Sequence, residues 1–458
     1  MIRKHWKWLI GLVLVLTVVC AAVYAGMLQG KEMGSWKKIP KAPIVEARST
    51  ICSALVGNKL VVWGGTLNDK PLSDGAVYDI DKGAWKKMPL APIEGTEHFA
   101  MLPYGEKNVI IWGGEDYPYG AIYDTNKDEW KKMAVAPISL GMEPFTSAIL
   151  GNKLIVWGIG VTRLQNPVGA LYDIDKDTWT KMPEAPMLAI DDWPPFIYKN
   201  KFVVWGGRSP EKSDCHGAVY DIDSNTWKKM APAPLEIGIT KEPGDLKQGI
   251  KAGRNWGASI LVGNKLLIWS GCPGPLVAQP TLTFSDGAVY DIDNDTWKKM
   301  APAPIEAREF ANNKLWRGAS SWGNKVVIWG GMKDKFYNDG AIYDIENDTW
   351  EKIPEAPVKS KQEVYGYGLF GYIRTAPGLF GNKLVVWGGQ EQIVWGGKDP
   401  TVGAIYDLEK KKWELMEKCP IVGRDYHHPY FYGNKLIIWG GRDATTRYTD
   451  GAIYDFGK

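Results

Sequence analysis

The side chains best suited to chemistry in this 458-residue sequence are arginines, carboxylates and a few histidines, set at recurring distances from apolar runs. Arg48, Arg254 and Arg424 each lie 12 residues before a run that starts at Leu60, Leu266 or Leu436, and Glu97 lies 12 before the run at Val109. His98 follows Glu97, while Asp425 and His427 follow Arg424. Arginine pairs bidentately with carboxylates, and a carboxylate or imidazole can pass a proton to a bound group. A second group mixes aromatics with arginine: Trp193, Arg254-Asn255-Trp256, Trp316-Arg317, and Tyr365, Tyr367, Tyr372 and Arg374. Exposed aromatics beside arginine stack on sugar rings or anchor a protein partner. The alternative is that these rings pack their own loops.

Metal chemistry finds little support. The Asp173-Ile174-Asp175-Lys176-Asp177 stretch and its cousins at 221, 291 and 344 open like a calcium loop, but lack the sharp-turn glycine and terminal glutamate. His427 and His428 are adjacent, so on a strand they point to opposite faces. Asp425 with His427 supplies two ligands, fewer than a zinc site needs. No metal and no cofactor are expected.

What must position these residues is a repeat. An apolar run ending in Trp, usually followed by Gly-Gly, recurs eight times, as in Leu60–Gly65 and Leu436–Gly441. Gly-Ala-x-Tyr-Asp follows each run, with its tyrosine at 78, 123, 172, 220, 290, 343, 406 and 454. A third phrase centres on Trp36, Trp85, Trp130, Trp179, Trp227, Trp297, Trp350 and Trp413. The β-branched run has no polar alternation, which marks a strand covered on both faces. Seven tyrosines lie 7 positions before the next of these tryptophans, the spacing of strand, tight turn and strand. A further strand rich in small residues precedes each Gly-Asn-Lys turn, for example 257–262. Each repeat is thus a four-stranded antiparallel sheet that must stack on its neighbours. Of the 23 Trp, 16 fall in these two strand positions.

The glycine doublet, tyrosine and tryptophan at fixed offset, in units near 50 residues, resemble the kelch repeat. The resemblance covers roughly residues 35–456 and implies an all-β, eight-bladed kelch-type β-propeller of four-stranded antiparallel blades. Ser35–Ile39 is a lone fourth strand before the first full repeat, and the last repeat stops after its third, so the N-terminal strand should complete the final blade and leave no open edge. Closure would place Arg424, Arg48 and Glu97 side by side at one channel mouth. Kelch repeats often carry an arginine at this position, which gives a structural alternative: bonding backbone across blades.

Departures from regularity fall on one face. From the marker tryptophan to the next apolar run the steps are 24, 24, 24, 23, 39, 29, 34 and 23. Growth is concentrated in the connections of blades 5 to 7, where Trp256, Trp316, Arg317, Tyr372 and Arg374 lie, and one-sided insertions often mark a binding face. Some kelch propellers are copper oxidases with a crosslinked Cys–Tyr pair, but Cys52, Cys215, Cys272 and Cys419 match no such pattern. Cys215 and Cys272, in equivalent loops of neighbouring blades, form the best candidate disulfide among three possible sets of pairings.

Residues 1–25 carry Arg3, Lys4 and Lys7 before an apolar run from Trp8 to Tyr24, then small residues. This is the layout of a signal peptide or of an N-terminal membrane anchor through residues 8–24. A linker over 26–34 and the propeller over 35–458 complete the expected organisation. Without the leader, 52 basic residues face 52 acidic ones (55 − 3 against 52), so no nucleic-acid partner is expected. The leading expectation is an exported, periplasmic or extracellular, non-catalytic module that binds a protein or glycan through Trp193, Arg254, Trp256, Trp316, Arg317, Tyr372 and Arg374. The alternative is a carbohydrate-active isomerase, resembling the exported kelch sialic-acid mutarotases. It would act at the channel mouth through Arg48, Glu97, His98, Arg424, Asp425 and His427.

Overall fold

A computed structural model describes residues 34–44, 48, 52–68, 70–96, 99–113, 117–140, 146–158, 167–187, 195–206, 217–235, 239–240, 250–251, 254, 256–272, 283–310, 318–333, 335, 337–358, 378–387, 403–424, 427–442 and 446–457. The expected leader and residues 26–33 lie outside the described residues. Eight four-stranded antiparallel sheets follow one another along the chain. Blade 1 runs Cys52–Val56, Lys59–Trp63, Gly75–Asp79 and Ala84–Lys87, from inner to outer strand, and blades 2 to 7 repeat this order. Blade 8 takes His428–Tyr432, Lys435–Trp439 and Gly451–Asp455 from the C-terminus and its outer strand, Ser35–Ile39, from the N-terminus. The pairing is antiparallel with Trp36 opposite Tyr454, so the ring closes as the repeat phase requires.

The second and third strands are buried on both faces, as their unbroken apolar sequences demand: Lys59–Trp63 has four buried residues of five and Gly75–Asp79 is buried throughout. Seven apolar clusters fill the eight seams, one of them running through blades 3, 4 and 5, and together they join every blade to the next, including blade 8 to blade 1. The third strand begins at a glycine because nothing larger fits. A Cβ on Gly451 would lie 2.2 Å from the Ile438 carbonyl oxygen.

The tryptophan excess is seam machinery. Trp63, Trp112, Trp157, Trp205, Trp269, Trp329, Trp387 and Trp439 end the second strands and are buried. The outer-strand tryptophans are half-buried, and each lies against the second-strand tryptophan of the preceding blade, as in Trp85–Trp439, Trp179–Trp112, Trp413–Trp329 and Trp36–Trp387. Each also donates its indole N–H to the carbonyl where the preceding blade exits. Trp85 donates to Pro40, Trp130 to Pro89, Trp297 to Ala231 and Trp36 to Glu417. Trp36 makes both contacts, so the N-terminal strand behaves as an ordinary outer strand.

The turn from third to outer strand needs one residue in the left-handed region, filled by Gly83, Asp128, Asp177, Asn225, Asp295, Asp348 or Lys411. Asp and Asn tolerate that region and here perform a second task. The hydroxyls of Tyr123, Tyr172, Tyr290 and Tyr343 donate to Asp128, Asp177, Asp295 and Asp348. Asp177, Asp295 and Asp348 also accept backbone N–H groups of the preceding blade's exit, at Ala134, Ala231 and Ala301. A turn chosen by backbone geometry thereby becomes a tie between blades.

Candidate functional site

Second and third strands join on the same face as the connections between blades, and that face is organised by four buried arginines. Arg48, Arg254, Arg308 and Arg424 are all 2% exposed or less. Each reaches the loop between the second and third strands of its own blade and hydrogen-bonds a carbonyl at its start and an aspartate at its end. Arg48 donates through Nη1 to Gly64 O (3.0 Å) and forms a two-pronged pair with Asp74, at 2.8 and 3.1 Å. Arg424 donates to Gly440 O (3.2 Å) and Asp450 Oδ1 (2.7 Å). Arg308 donates to Gly330 O (3.0 Å) and Asp339 Oδ1 (2.9 Å), and Arg254 to Ser270 O (3.2 Å) and the Asp286 carboxylate. A ring covers three of the guanidiniums: Phe284 at 4.4 Å from Arg254, Tyr337 at 4.0 Å from Arg308 and Tyr448 at 3.9 Å from Arg424. A buried guanidinium requires a carboxylate and further acceptors, and each clamp supplies an aspartate and at least one carbonyl, while Arg308 Nη2 has no partner among the described residues. Burial opposes the charged form of Asp74, but Arg48 outweighs it and holds that carboxyl below its ordinary range.

These contacts give Arg48, Arg254 and Arg424 a structural task within the blade. Arg308 belongs to the same set, although it lies 18 residues before Val326 rather than 12. Two sequence signals could have found it. Ile305-Glu306-Ala307-Arg308 parallels Val45-Glu46-Ala47-Arg48, and only the four blades with a clamp carry Asp before Gly-Ala: Asp74, Asp286, Asp339 and Asp450. The other blades have Tyr119, Val168, His216 and Val402 there.

His427 is buried, edge-on to Trp387 at 5.1 Å, with Nδ1 3.2 Å from the Arg424 carbonyl oxygen. Trp256 is half-buried with φ 54°, and its carbonyl accepts Phe310 N–H at 2.6 Å. Glu97, His98, Asp425, Trp193, Trp316, Arg317, Tyr365, Tyr367, Tyr372 and Arg374 lie outside the described residues, as does Cys215. Cys272 is buried and hydrogen-bonds Glu309, and the expected Cys215–Cys272 disulfide lies outside the described residues because Cys215 does.

A titratable group absent from the sequence reading is Glu309. It follows Arg308 and exchanges backbone hydrogen bonds with Met332, at 2.6 and 2.8 Å. Burial drives its carboxyl up to about 7, against a hydrogen bond with Cys272 that pulls it down. Its partial burial follows from the clamp, which fixes the neighbouring Arg308 within the seam between blades 5 and 6.

Comparison with known proteins agrees with this architecture. The family model described as the KLHDC2/KLHL20/DRC7 Kelch-repeats domain matches residues 144–365. No curated protein matches the chain. A fungal alcohol oxidase of the AA5 family, solved in complex with copper, is similar over 93% of this chain and 76% of its own, with a TM-score of 0.48 and 16% identity. With eight repeats and eight four-stranded blades closed into a ring, the chain is an eight-bladed β-propeller, and its repeats are similar to those of the kelch family model over residues 144–365.

Proposed function

We propose that this propeller is a non-catalytic binding module, exported from the cytoplasm, that takes a protein or glycan on the face bearing the long connections of blades 5 to 7. Kelch architecture supports protein interaction as its general role. One observation carries the reading further: the arginines that could have anchored catalysis at the channel mouth are buried in clamps. The clamps of blades 5 and 6 brace the face on which the insertions emerge. Trp316, Arg317, Tyr372 and Arg374 supply aromatic and guanidinium groups of the kind that dominate binding energy. Replacing these four with alanine should abolish binding to ligands selected from a glycan array and a peptide library, with thermal stability unchanged. Unaltered binding would refute the assignment. Arg254 is excluded from the test because its loss would damage the fold. N-terminal sequencing of protein recovered from cell fractions checks export: cleavage near Ala25, or membrane retention, supports it, and an intact soluble cytoplasmic chain opposes it.

The alternative is an isomerase of acidic sugars, for which Glu309, half-buried in the seam between blades 5 and 6 beside Cys272, offers a carboxyl. A carboxyl titrating at about 7 is poised for general acid–base work. NMR of anomer interconversion in a sialic acid decides this reading, which fails if the protein gives no acceleration over buffer.

A further inference from the structure

We propose that the rim of blades 1 and 2 is a second docking surface, fitted to a segment of a partner protein that combines apolar and acidic residues. The proposal stands independently of the blade 5–7 loops. After each outer strand the chain turns toward the next blade, and one position of that turn faces solvent. It is occupied by Lys41, Glu184, Pro232, Pro302, Glu355 and Lys418 in six blades, but by Leu90 and Val135 in blades 1 and 2. Leu90 is 74% exposed and Val135 54%, the two most exposed large apolar residues among those described. Two such substitutions on adjacent blades are not the scattered apolar exposure of an ordinary surface.

Aromatic residues link the two positions. Pro89, beside Leu90, accepts the indole N–H of Trp130 in blade 2 at 3.0 Å. Tyr119 packs against the blade 1–2 core together with Ala91, and its ring lies edge-on to Tyr117 at 4.8 Å. Pro118, between them, accepts the N–H of Ala136, next to Val135, at 2.9 Å. These bonds tie the turn that carries Leu90 to the outer strand of blade 2, and the turn that carries Val135 to the Tyr117–Tyr119 loop. Tyr117 is hydrogen-bonded to Glu94, which fixes its ring and engages the carboxylate beside it.

Charge selects the occupant. Lys87 and Lys132 end the two outer strands, three residues before Leu90 and Val135, and both are exposed. Lys132 Nζ stands 5.7 Å from the Tyr119 ring centre. An apolar and aromatic centre bordered by cations suits apolar side chains flanked by Asp or Glu, which the lysines attract and orient. Exposed leucine and valine gain nothing from a sugar's hydroxyls, so a polypeptide fits better than a glycan.

The test is selection of a displayed random dodecapeptide library on the full chain, with counter-selection on Leu90→Ser/Val135→Ser. Both substitutions fall at exposed positions and should leave the melting temperature unchanged. The expected result is recovery of peptides combining apolar residues with Asp or Glu. Their affinity, measured on synthetic copies, should fall at least about tenfold on the double serine variant and on Lys87→Glu/Lys132→Glu. Binding to wild type should also weaken with added salt. Failure to recover any peptide that distinguishes wild type from the serine variant overturns the proposal. So does recovery of peptides without acidic residues, or of peptides indifferent to charge reversal. Sedimentation of the free chain is the remaining arm. Dimerisation abolished by the serine substitutions would identify a second copy as the occupant and overturn the partner-segment assignment.

Discussion

If the arginine clamps hold the inter-strand loops, removing the carboxylate of a clamp should cost more than removing its arginine. Blade 8 offers the clearest case. Arg424 is 1% exposed and donates to Gly440 O, Asp450 Oδ1 and, through Nε, Val422 O. Asp450→Ala leaves that guanidinium buried beside carbonyls with no counter-charge, a defect of about 3–5 kcal/mol. Arg424→Met keeps much of the apolar volume and leaves Asp450 with Lys38, whose Nζ is 3.6 Å away. Its cost should be about 2 kcal/mol, mainly from the lost donors to buried carbonyls. The double variant removes both charges, so it should be less destabilised than the sum of the two, by about 1–3 kcal/mol of coupling. Urea unfolding followed by tryptophan fluorescence reads this directly, because tryptophans line every seam. The coupling should survive high salt, since a buried pair is weakly screened. Additive losses would refute the clamp as an energetic unit, and equal single losses would refute the argument that the stranded guanidinium dominates.

Three further outcomes follow from comparing equivalent positions. Gly83 occupies the turn site that Asp128 fills in blade 2, at φ 67° against 63°, while the Tyr78 hydroxyl is buried without a partner among the described residues. Gly83→Asp should supply that partner beside Lys37 and raise stability by about 0.5–1 kcal/mol in urea unfolding, after the cost of the left-handed backbone. In the seam between blades 8 and 1, Tyr430 hydrogen-bonds Ser53, whereas the equivalent Ser259 in blade 5 has no described partner and blade 4 has Phe196 in place of the tyrosine. Phe196→Tyr should therefore stabilise by about 1 kcal/mol, and Ser259→Ala should cost less than Ser53→Ala. Two pH limbs of opposite sign should appear. Hydrogen bonds from Tyr172 and Ala134 hold the Asp177 carboxyl low, and Lys265 with Asn294 bring Asp291, against burial, to about 2, so their contribution is complete above about pH 4 and lost as pH falls toward 2. Glu309 is raised, so its contribution is full below about pH 4.5 and is lost as pH rises through 7; Glu309→Gln should flatten stability between those values.

Legibility was uneven for physical reasons. Blade count, strand order and closure could be read because each strand repeats a short pattern whose burial is local. Lys-Leu-Val-Val-Trp and Gly-Ala-Val-Tyr-Asp announce strands without reference to the rest of the chain. Sixteen of the tryptophans form eight copies of one inter-blade contact. The arginines were harder, because the same residue type serves a ligand or a fold according to what surrounds it. Spacing alone placed Arg48, Arg254 and Arg424 in one set, yet missed Arg308 because six additional residues separate it from the following apolar run, 18 against 12. Their task was written elsewhere, in the aspartate before Gly-Ala. Glu309 was invisible for a related reason: nothing in its sequence neighbourhood reveals the burial that moves its carboxyl.

The distribution of clamps also explains how the ring tolerates its irregularities. Among the described residues the clamped blades come in adjacent pairs, 8 with 1 and 5 with 6. The first pair flanks the closure seam, where the Ser35–Ile39 strand from the N-terminus completes the C-terminal blade. The second flanks the connection into blade 6, which follows the longest insertion in the chain. There the usual Trp-Gly-Gly becomes Trp269-Ser270-Gly271, and Ser270 adopts φ 59°. A serine in that region costs about 1–2 kcal/mol relative to glycine. Its hydroxyl offsets the cost by accepting Arg308 N–H at 2.8 Å while lying within bonding distance of two carbonyls, Phe284 O at 2.8 Å and Arg308 O at 2.7 Å. One hydroxyl proton serves only one of those carbonyls at a time, but the accepted Arg308 N–H ties blade 5 to the segment that carries the next clamp in either case. Arg308 thus belongs to blade 5 through its backbone and to blade 6 through its side chain. Insertions can grow on this face because the residues at their bases are bound to both neighbours.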